Sequence, residues 1–329
     1  MQVTFFLPGE PDLERLRQLD PDRDWSEFAR GEHAWTLQTY LRLRAAGHPV
    51  ELAAVPPGNG LVVYHAKHGR ELLRHFRRLD GAVLVGIRAD NREPTTADFQ
   101  LVQNHVYADD RSRFYVPLWS QPGLLPRDPA RGGRVARVAF KGFSANLHAD
   151  FRGAEWRAFL AARGIDWEVD AVDYRGAATE EARLRWRDFR EVDVVLAVRP
   201  PARDGHTSKP ATKLHNAWLA GVPALLGFEP AYRELRRCEL DYLEVASLAD
   251  AMAAVDRLRA EPALYRAMVE RGRARAPEYT VEAIRALWVE LLYRRLPALA
   301  PERPLRRLPH LLRPPLRRAR RLLERRPAR

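Results

Sequence analysis

The 329-residue chain has a single cysteine, Cys238, and no apolar run near the roughly 18 residues that a membrane-spanning helix needs. One cysteine excludes an intramolecular disulfide and any cysteine-cluster metal site, and Cys238, set among charged residues, reads as a plain reduced thiol. No G-x-G-x-x-G follows any stretch of strand character, which argues against a dinucleotide-dependent dehydrogenase. The amino-terminal MQVTFFLPGE has no basic leader, and its apolar run is short for a secretory signal, so a cytoplasmic location is expected. Aspartates are present, but not in a pattern that asks for a metal. Asp109, Asp110, Asp166, Asp170 and Asp173 read as turn and strand-edge residues.

What is present points to a folded chain of two domains. The hydrophobic fraction is 46%, with 8 Trp and 12 Phe, enough for real cores in a chain longer than one typical domain. The formal net charge of +12 is unevenly placed. Residues 301–329 hold eleven Arg and two Glu, a net +9, so the preceding 300 residues are close to neutral. The basic character therefore belongs to an appendix.

Taken in order, the first half alternates strand and helix signals. Residues 3–7, 50–55, 61–66, 82–87, 99–103 and 114–116 read as strands; residues 31–47 and 70–79 read as helices, and 12–30 as a loop with a short helix. That alternation implies a parallel sheet covered on both faces. Residues 115–133 carry four prolines and three glycines and read as a crossing between domains. The alternation then restarts, with strands at 135–140, 167–169, 192–198 and 242–245. Helices are expected at 156–162, 180–189, 247–258, 262–275 and 280–293.

The most informative stretch is residues 207–234, TSKPATKLHNAWLAGVPALLGFEPAYRE. Thr207 and Ser208 are good N-cap residues and Pro210 fits a first turn, so a helix is expected from there to Gly221. Pro223 follows where a helix could not continue, and residues 222–226 form a short apolar run suited to a buried strand. Lys209, Lys213 and Asn216 share one face. A helix start carrying two lysines suits a phosphate or diphosphate, because free N–H groups and the dipole favour an anion there. The alternative is a solvated basic face on an ordinary surface helix.

The string KLHNAWLAGVPALL resembles the donor-site helix and strand of GT-B glycosyltransferases of the retaining family 4 type. The resemblance continues into Pro230, Glu234 and Leu235. GEHAWTLQTYLRLRAAGHPVEL is similar to that family's first glycine-rich loop and helix, and RWRDFREVDVVLAVRP to its helix-Asp-strand, with Asp193 at the Asp. The matches run in the right order over roughly residues 1–295. They imply an α/β fold of two Rossmann-like domains facing across a cleft: an acceptor-side domain at 1–128, a donor domain at 129–296 and a basic tail at 297–329.

The resemblance implies transfer of a sugar from a nucleotide diphosphate sugar to a saccharide or lipid-linked acceptor in surface polysaccharide assembly, with no cofactor or metal required. The Asp-x-Asp triplets of the metal-dependent GT-A type do occur, at 20–22 and 22–24, but in a polar stretch that reads as turn. Strand ends are where ligands bind in such sheets. They nominate Lys141, Gly142 and Arg199 for the donor, the helix start adds Ser208, Lys209 and Lys213, and the resemblance implies Asn216 and Glu234. His65 (or His68) matches a family histidine near the sugar, and Arg88 and Asp90 are candidates on the acceptor side. Asp90 as a base would suggest inversion, whereas the resemblance implies retention. The chain departs from the family at Ser208 and Asn216, where a Glu pair is usual, and at Phe143, where a basic residue is. A scaffold that keeps only the binding cleft is therefore a second reading.

The tail interleaves Leu pairs with Arg, and residues 316–326 have the pattern of a basic amphipathic helix suited to an anionic membrane face, against a solvated tail as the plain alternative. It has no Phe, Tyr or Trp for base stacking, so nucleic acid is the weaker partner, although binding through the tail is a third reading.

Overall fold

The computed structural model describes residues 1–79, 81–172 and 185–300; for Val172 the backbone alone is described. Outside the described residues lie Asp173, the first part of the helix expected at 180–189, and the tail with its expected amphipathic helix.

The chain forms two compact units, cut differently from the expected 1–128, 129–296 and 297–329. The first comprises Met1–Pro21, Arg30–Leu118 and the described residues from Ile284 onward; the second comprises Asp22–Ala29 and Trp119–Ala283. The return of the last helix is explained by Trp288, which is fully buried with its ring 6.4 Å from that of Phe5 in the first unit's sheet.

In the first unit six strands are all parallel: β1 (Val3–Phe6), β2 (Val50–Ala53), β3 (Asn59–His65), β4 (Gly81–Ile87), β5 (Phe99–Val102) and β6 (Arg113–Tyr115). Their order is β2-β1-β3-β4-β5-β6. The continuous apolar runs of β3 and β4 follow from burial on both faces. Phe6, Val62, Tyr64, Leu72 and Leu84 fill one side. The expected helix at 31–47 is present, with a π-helical turn, His33–Leu37, after its first two residues and before Gln38–Ala45. The one expected at 70–79 is only Gly69–Leu73 followed by a 3-10 turn, Phe76–Arg78.

The second unit holds β7 (Arg137–Phe143), β8 (Asp166–Val172), β9 (Val194–Ala197), β10 (Ala224–Leu226) and β11 (Leu243–Glu244), again all parallel, in the order β11-β10-β9-β7-β8. Alternation along β7 sends Val138 and Phe140 into one core layer, with Trp156, Leu196 and Val255, and Ala139 into the other, with Leu214, Trp218 and Tyr232. Residues 186–189 are not helical; Asp188 pairs with Leu125 in an isolated parallel bridge.

The foot of β9 is fixed by Asp193. Its fully buried carboxylate accepts from Arg127 (2.7 Å) and Arg131 (2.7 Å) of the crossing segment, and from the backbone N–H groups of Ala136 (2.8 Å) and Arg137 (3.0 Å). Burial alone would raise this carboxyl; Arg131, the Ala136 N–H and Arg127 hold it below its ordinary range.

The helix expected from Thr207–Ser208 starts later, as Thr212–Ala220, with Ala211 at its N-cap. Pro210 is the reason: its ring disfavours a helical conformation at Lys209, so residues 207–209 stay in a turn. Its other end is as expected. Gly221 is left-handed (φ 69°), with its N–H bonded to the Trp218 carbonyl and the Val222 N–H to that of Ala217.

Candidate functional site

In sheets of this kind the strand order reverses between β1 and β3, and between β7 and β9, and the carboxyl ends of those strands are where ligands bind. Each unit gathers polar side chains at that place.

In the second unit the centre is Lys213, in the first turn of the Thr212–Ala220 helix. Its ammonium donates to the carbonyl of Lys141 and lies 4.8 Å from the ring centroid of Phe140. A Cβ on Gly142 would stand 2.7 Å from Lys213 Nζ, and Gly142 has φ 148°. Glycine at this point therefore both permits the backbone and leaves room for the lysine head. Arg199, just past β9, pairs with Glu229 and reaches Asn146 Oδ1 at 3.3 Å. Glu229 stands at the start of the Pro230–Leu235 helix, 2% exposed, with Oε1 lacking a partner among the described residues. Burial pushes Glu229 up despite Arg199. Burial, then the charge of Arg199, pushes Lys213 down to about 7, against the opposing pull of Glu229. The result is a partly desolvated cationic centre with one carboxylate, at the switch point of the sheet.

Other nominated donor residues lie elsewhere. Lys141 is within β7, which runs on to Phe143 and does not open into a loop at 141; its ammonium is taken by Glu168 (2.7 Å) and Asp170 (2.6 Å). Ser208 and Lys209 are half-buried in the turn ahead of the helix. Asn216 accepts from the Gln121 N–H at 2.9 Å and so holds the crossing segment. Glu234 is exposed on the Pro230–Leu235 helix. Sequence reasoning chose Glu234 and missed Glu229, although a Glu-Pro directly after a buried strand places that Glu at the strand's carboxyl end. A cavity of ≈ 940 Å³ at the amino ends of this sheet is lined by Arg127, Arg131, Arg137, Arg190 and others. Those four cations are paired with Asp193, Glu191 and Asp188.

In the first unit His65 ends β3 and is 2% exposed. Its Nδ1 accepts from the Lys67 N–H at 3.4 Å; its Nε2 has no partner among the described residues and lies 3.6 Å from where a Cβ on Gly31 would be. Burial pushes His65 down to about 4, so it is neutral at physiological pH. Arg88 follows β4, the neighbour of β3, with its guanidinium 4.4 Å from the ring centroid of Tyr107. Asp90 is exposed two residues on, and its charge is felt at His65. The three nominated acceptor-side residues thus share adjoining strand ends. Around them are residues that the sequence did not single out. Glu10 contacts His33 at 3.1 Å and Arg30 at 2.7 Å, and Glu32 pairs with Lys67 at 2.8 Å. Burial opposes ionisation of Glu32, but Lys67 and Arg30 bring it down to about 2.

No family model matches the chain, and no curated protein matches it. Solved structures do. HepE of Anabaena, in complex with UDP and glucose, is similar with a TM-score of 0.55 at 13% identity, over 89% of this chain and 100% of HepE. Sucrose-phosphate synthase of Thermosynechococcus elongatus is similar with a TM-score of 0.50 at 15% identity, over 85% of this chain and 81% of that one. The likeness is one of fold, and with two parallel α/β sheets of this strand order the chain has the GT-B fold of glycosyltransferases.

Proposed function

We propose that this chain is a glycosyltransferase that takes a sugar from a nucleotide diphosphate sugar and passes it to a saccharide or lipid-linked saccharide. The observation that carries the reading is the convergence of Lys213, Gly142 and the Arg199–Glu229 pair at the strand-order reversal of the second unit. Breaking a glycosidic bond to a diphosphate leaves negative charge on the leaving group, and a fixed cation in a partly desolvated site stabilises that charge. The UDP and glucose bound by HepE, which has this fold, support the same donor class. The neutral His65, whose Nε2 has no partner among the described residues, suits a hydrogen bond to a sugar hydroxyl in the first unit. Lys209 and Ser208 are further donor contacts in this reading, and Arg88 and Asp90 serve the acceptor. The net +9 of residues 301–329 supports work at an anionic membrane face in polysaccharide assembly. Among the described residues no helix is long and apolar enough to cross a membrane.

The test is release of nucleoside diphosphate from UDP- and GDP-hexoses, with and without oligosaccharide acceptors. Acceptor-stimulated release is expected. A chain that binds the nucleotides but never turns over is the scaffold reading instead. That reading draws support from Asn216, which presents no carboxylate and spends its amide oxygen on Gln121.

A further inference from the structure

The end of β10 carries a side chain that the phosphate cluster does not use. Phe228 lies between Gly227 and Glu229 and is 51% exposed. An aromatic side chain open to water at the end of a buried strand forgoes the burial its neighbours gain. It is nevertheless held in place. The guanidinium of Arg233 lies 4.2 Å from the ring centroid. Arg233 is in turn gripped by both carboxylate oxygens of Glu244, at 2.6 and 2.9 Å. Glu244 belongs to β11 and pairs in register with Leu226 of β10. Carboxylate, guanidinium and ring therefore form one stack rooted in the sheet. A cation–π contact of this kind fixes the ring while half of the side chain stays open.

The location gives the stack its meaning. Phe228 directly precedes Glu229, with Cα atoms about 3.8 Å apart, and Glu229 pairs with Arg199 beside Lys213. A flat, apolar, preoriented surface thus stands one residue along the chain from the carboxylate of the cationic centre, a spacing that suits a base-plus-diphosphate ligand. We propose that Phe228, backed by Arg233 and Glu244, is the stacking platform for the nucleobase of the donor. The inference rests on the donor reading above and deepens it: the ligand is recognised as a nucleoside diphosphate and not as a diphosphate alone. Every base has a π face, so the platform favours nucleotides over pyrophosphate without choosing strongly among bases.

The experiment titrates the full chain, Phe228→Ala, Phe228→Leu and Phe228→Tyr with UDP, GDP and inorganic pyrophosphate, and records the Tm of each protein. Loss of the ring is expected to weaken UDP and GDP about 5- to 150-fold, the range for one base–aromatic stack. Pyrophosphate affinity should stay within about twofold, the usual scatter at a site not in contact. Phe228→Leu, which keeps apolar bulk but has no π face, should behave like Phe228→Ala; Phe228→Tyr should bind like the unaltered chain, and Tm should barely move. Nucleotide affinity unchanged in Phe228→Ala, or pyrophosphate weakened as much as UDP, would overturn the platform while leaving the donor reading standing. If pyrophosphate binds too weakly to measure, loss in Ala and Leu with recovery in Tyr supports the platform, and equal affinities across all four chains overturn it. An unaltered chain that binds no nucleotide would overturn the donor reading, and the platform with it.

Discussion

At the ends of β1 and β3 the first unit collects His33, His65, Glu10 and Glu32; at the ends of β7 and β9 the second collects Gly142, Arg199 and Lys213, with Glu229 from the end of β10. The sheets are alike: all strands parallel, with the order reversing at the corresponding point. The chemistry is not. In the first unit Glu10 and Glu32 are each answered by a basic side chain, and His65 is held neutral. In the second, two cations face a single carboxylate in a desolvated setting. The topology supplies a place in each unit, and the side chains decide whether it suits a neutral, hydroxyl-rich ligand or an anion.

The comparison can be broken at its foundation. Asp193 anchors the second sheet alone. Asp193→Ala leaves Arg127 and Arg131 without their buried partner and is expected to cost about 3–5 kcal/mol, seen as a large fall in Tm. Its pH dependence has a definite sign. The folded-state pKa lies below the unfolded value of about 3.9, so the stabilisation is complete above that value and is lost as pH falls through the folded pKa. A Tm unchanged by the substitution would remove Asp193 from this role.

A sharper cut separates binding from transfer. His65→Ala is expected to lower sugar transfer about 100-fold, the lower end for a positioned polar group at the reacting centre, while nucleotide affinity stays put. A variant that loses nucleotide affinity and transfer equally would place His65 with the donor instead.

The two clusters should also differ in their response to pH. His65, at about 4, keeps its neutral form from pH 5 upward, whereas Lys213, at about 7, changes charge within the working range. A bound diphosphate favours protonated Lys213 and so raises its pKa. The Lys213 contribution to affinity is therefore complete below about pH 7 and falls as pH rises, by up to about tenfold per pH unit until the bound pKa is reached. Burial, and after it Arg199, Glu229 and Lys141, set the starting value, and none of them reverses the sign. Calorimetry at pH 7 and 9 in two buffers of different ionisation enthalpy reads both the affinity and the proton uptake; a flat profile would contradict the assignment.

The smallest expected effect is that of Gly142→Ala. The added methyl meets Lys213 Nζ and strains a positive φ, at a cost of about 1 kcal/mol in stability and a several-fold loss of nucleotide affinity. Nucleotide affinity equal to that of the unaltered chain would separate Gly142 from the site.

Much of the fold was readable because it rests on strong local signals. The apolar runs of β3, β4 and β9 and the Gly221 stop all appear where the pattern puts them. What the pattern could not convey was partnership across the sheet. Lys141 looked available for a phosphate, but β8 sets Glu168 and Asp170 beside it, a relation visible only once the register is known. The same holds for Asn216 and Gln121, ninety-five residues apart in the chain. The delayed helix start was decided by a local competition, in which the restriction that Pro210 places on Lys209 outweighed good capping residues at 207 and 208. The burial of Glu229 against Arg199 likewise depends on two strands lying side by side.

The account turns on Lys213 as the cation that receives the diphosphate. Calorimetric titration of the unaltered chain and of Lys213→Met with UDP and GDP at pH 7 tests it directly. Binding by the unaltered chain and a loss of about 30-fold in the variant, near 2 kcal/mol for one charge-assisted contact, is the predicted result, with Tm kept because methionine fills the same space. Equal nucleotide affinity in the two proteins would contradict it.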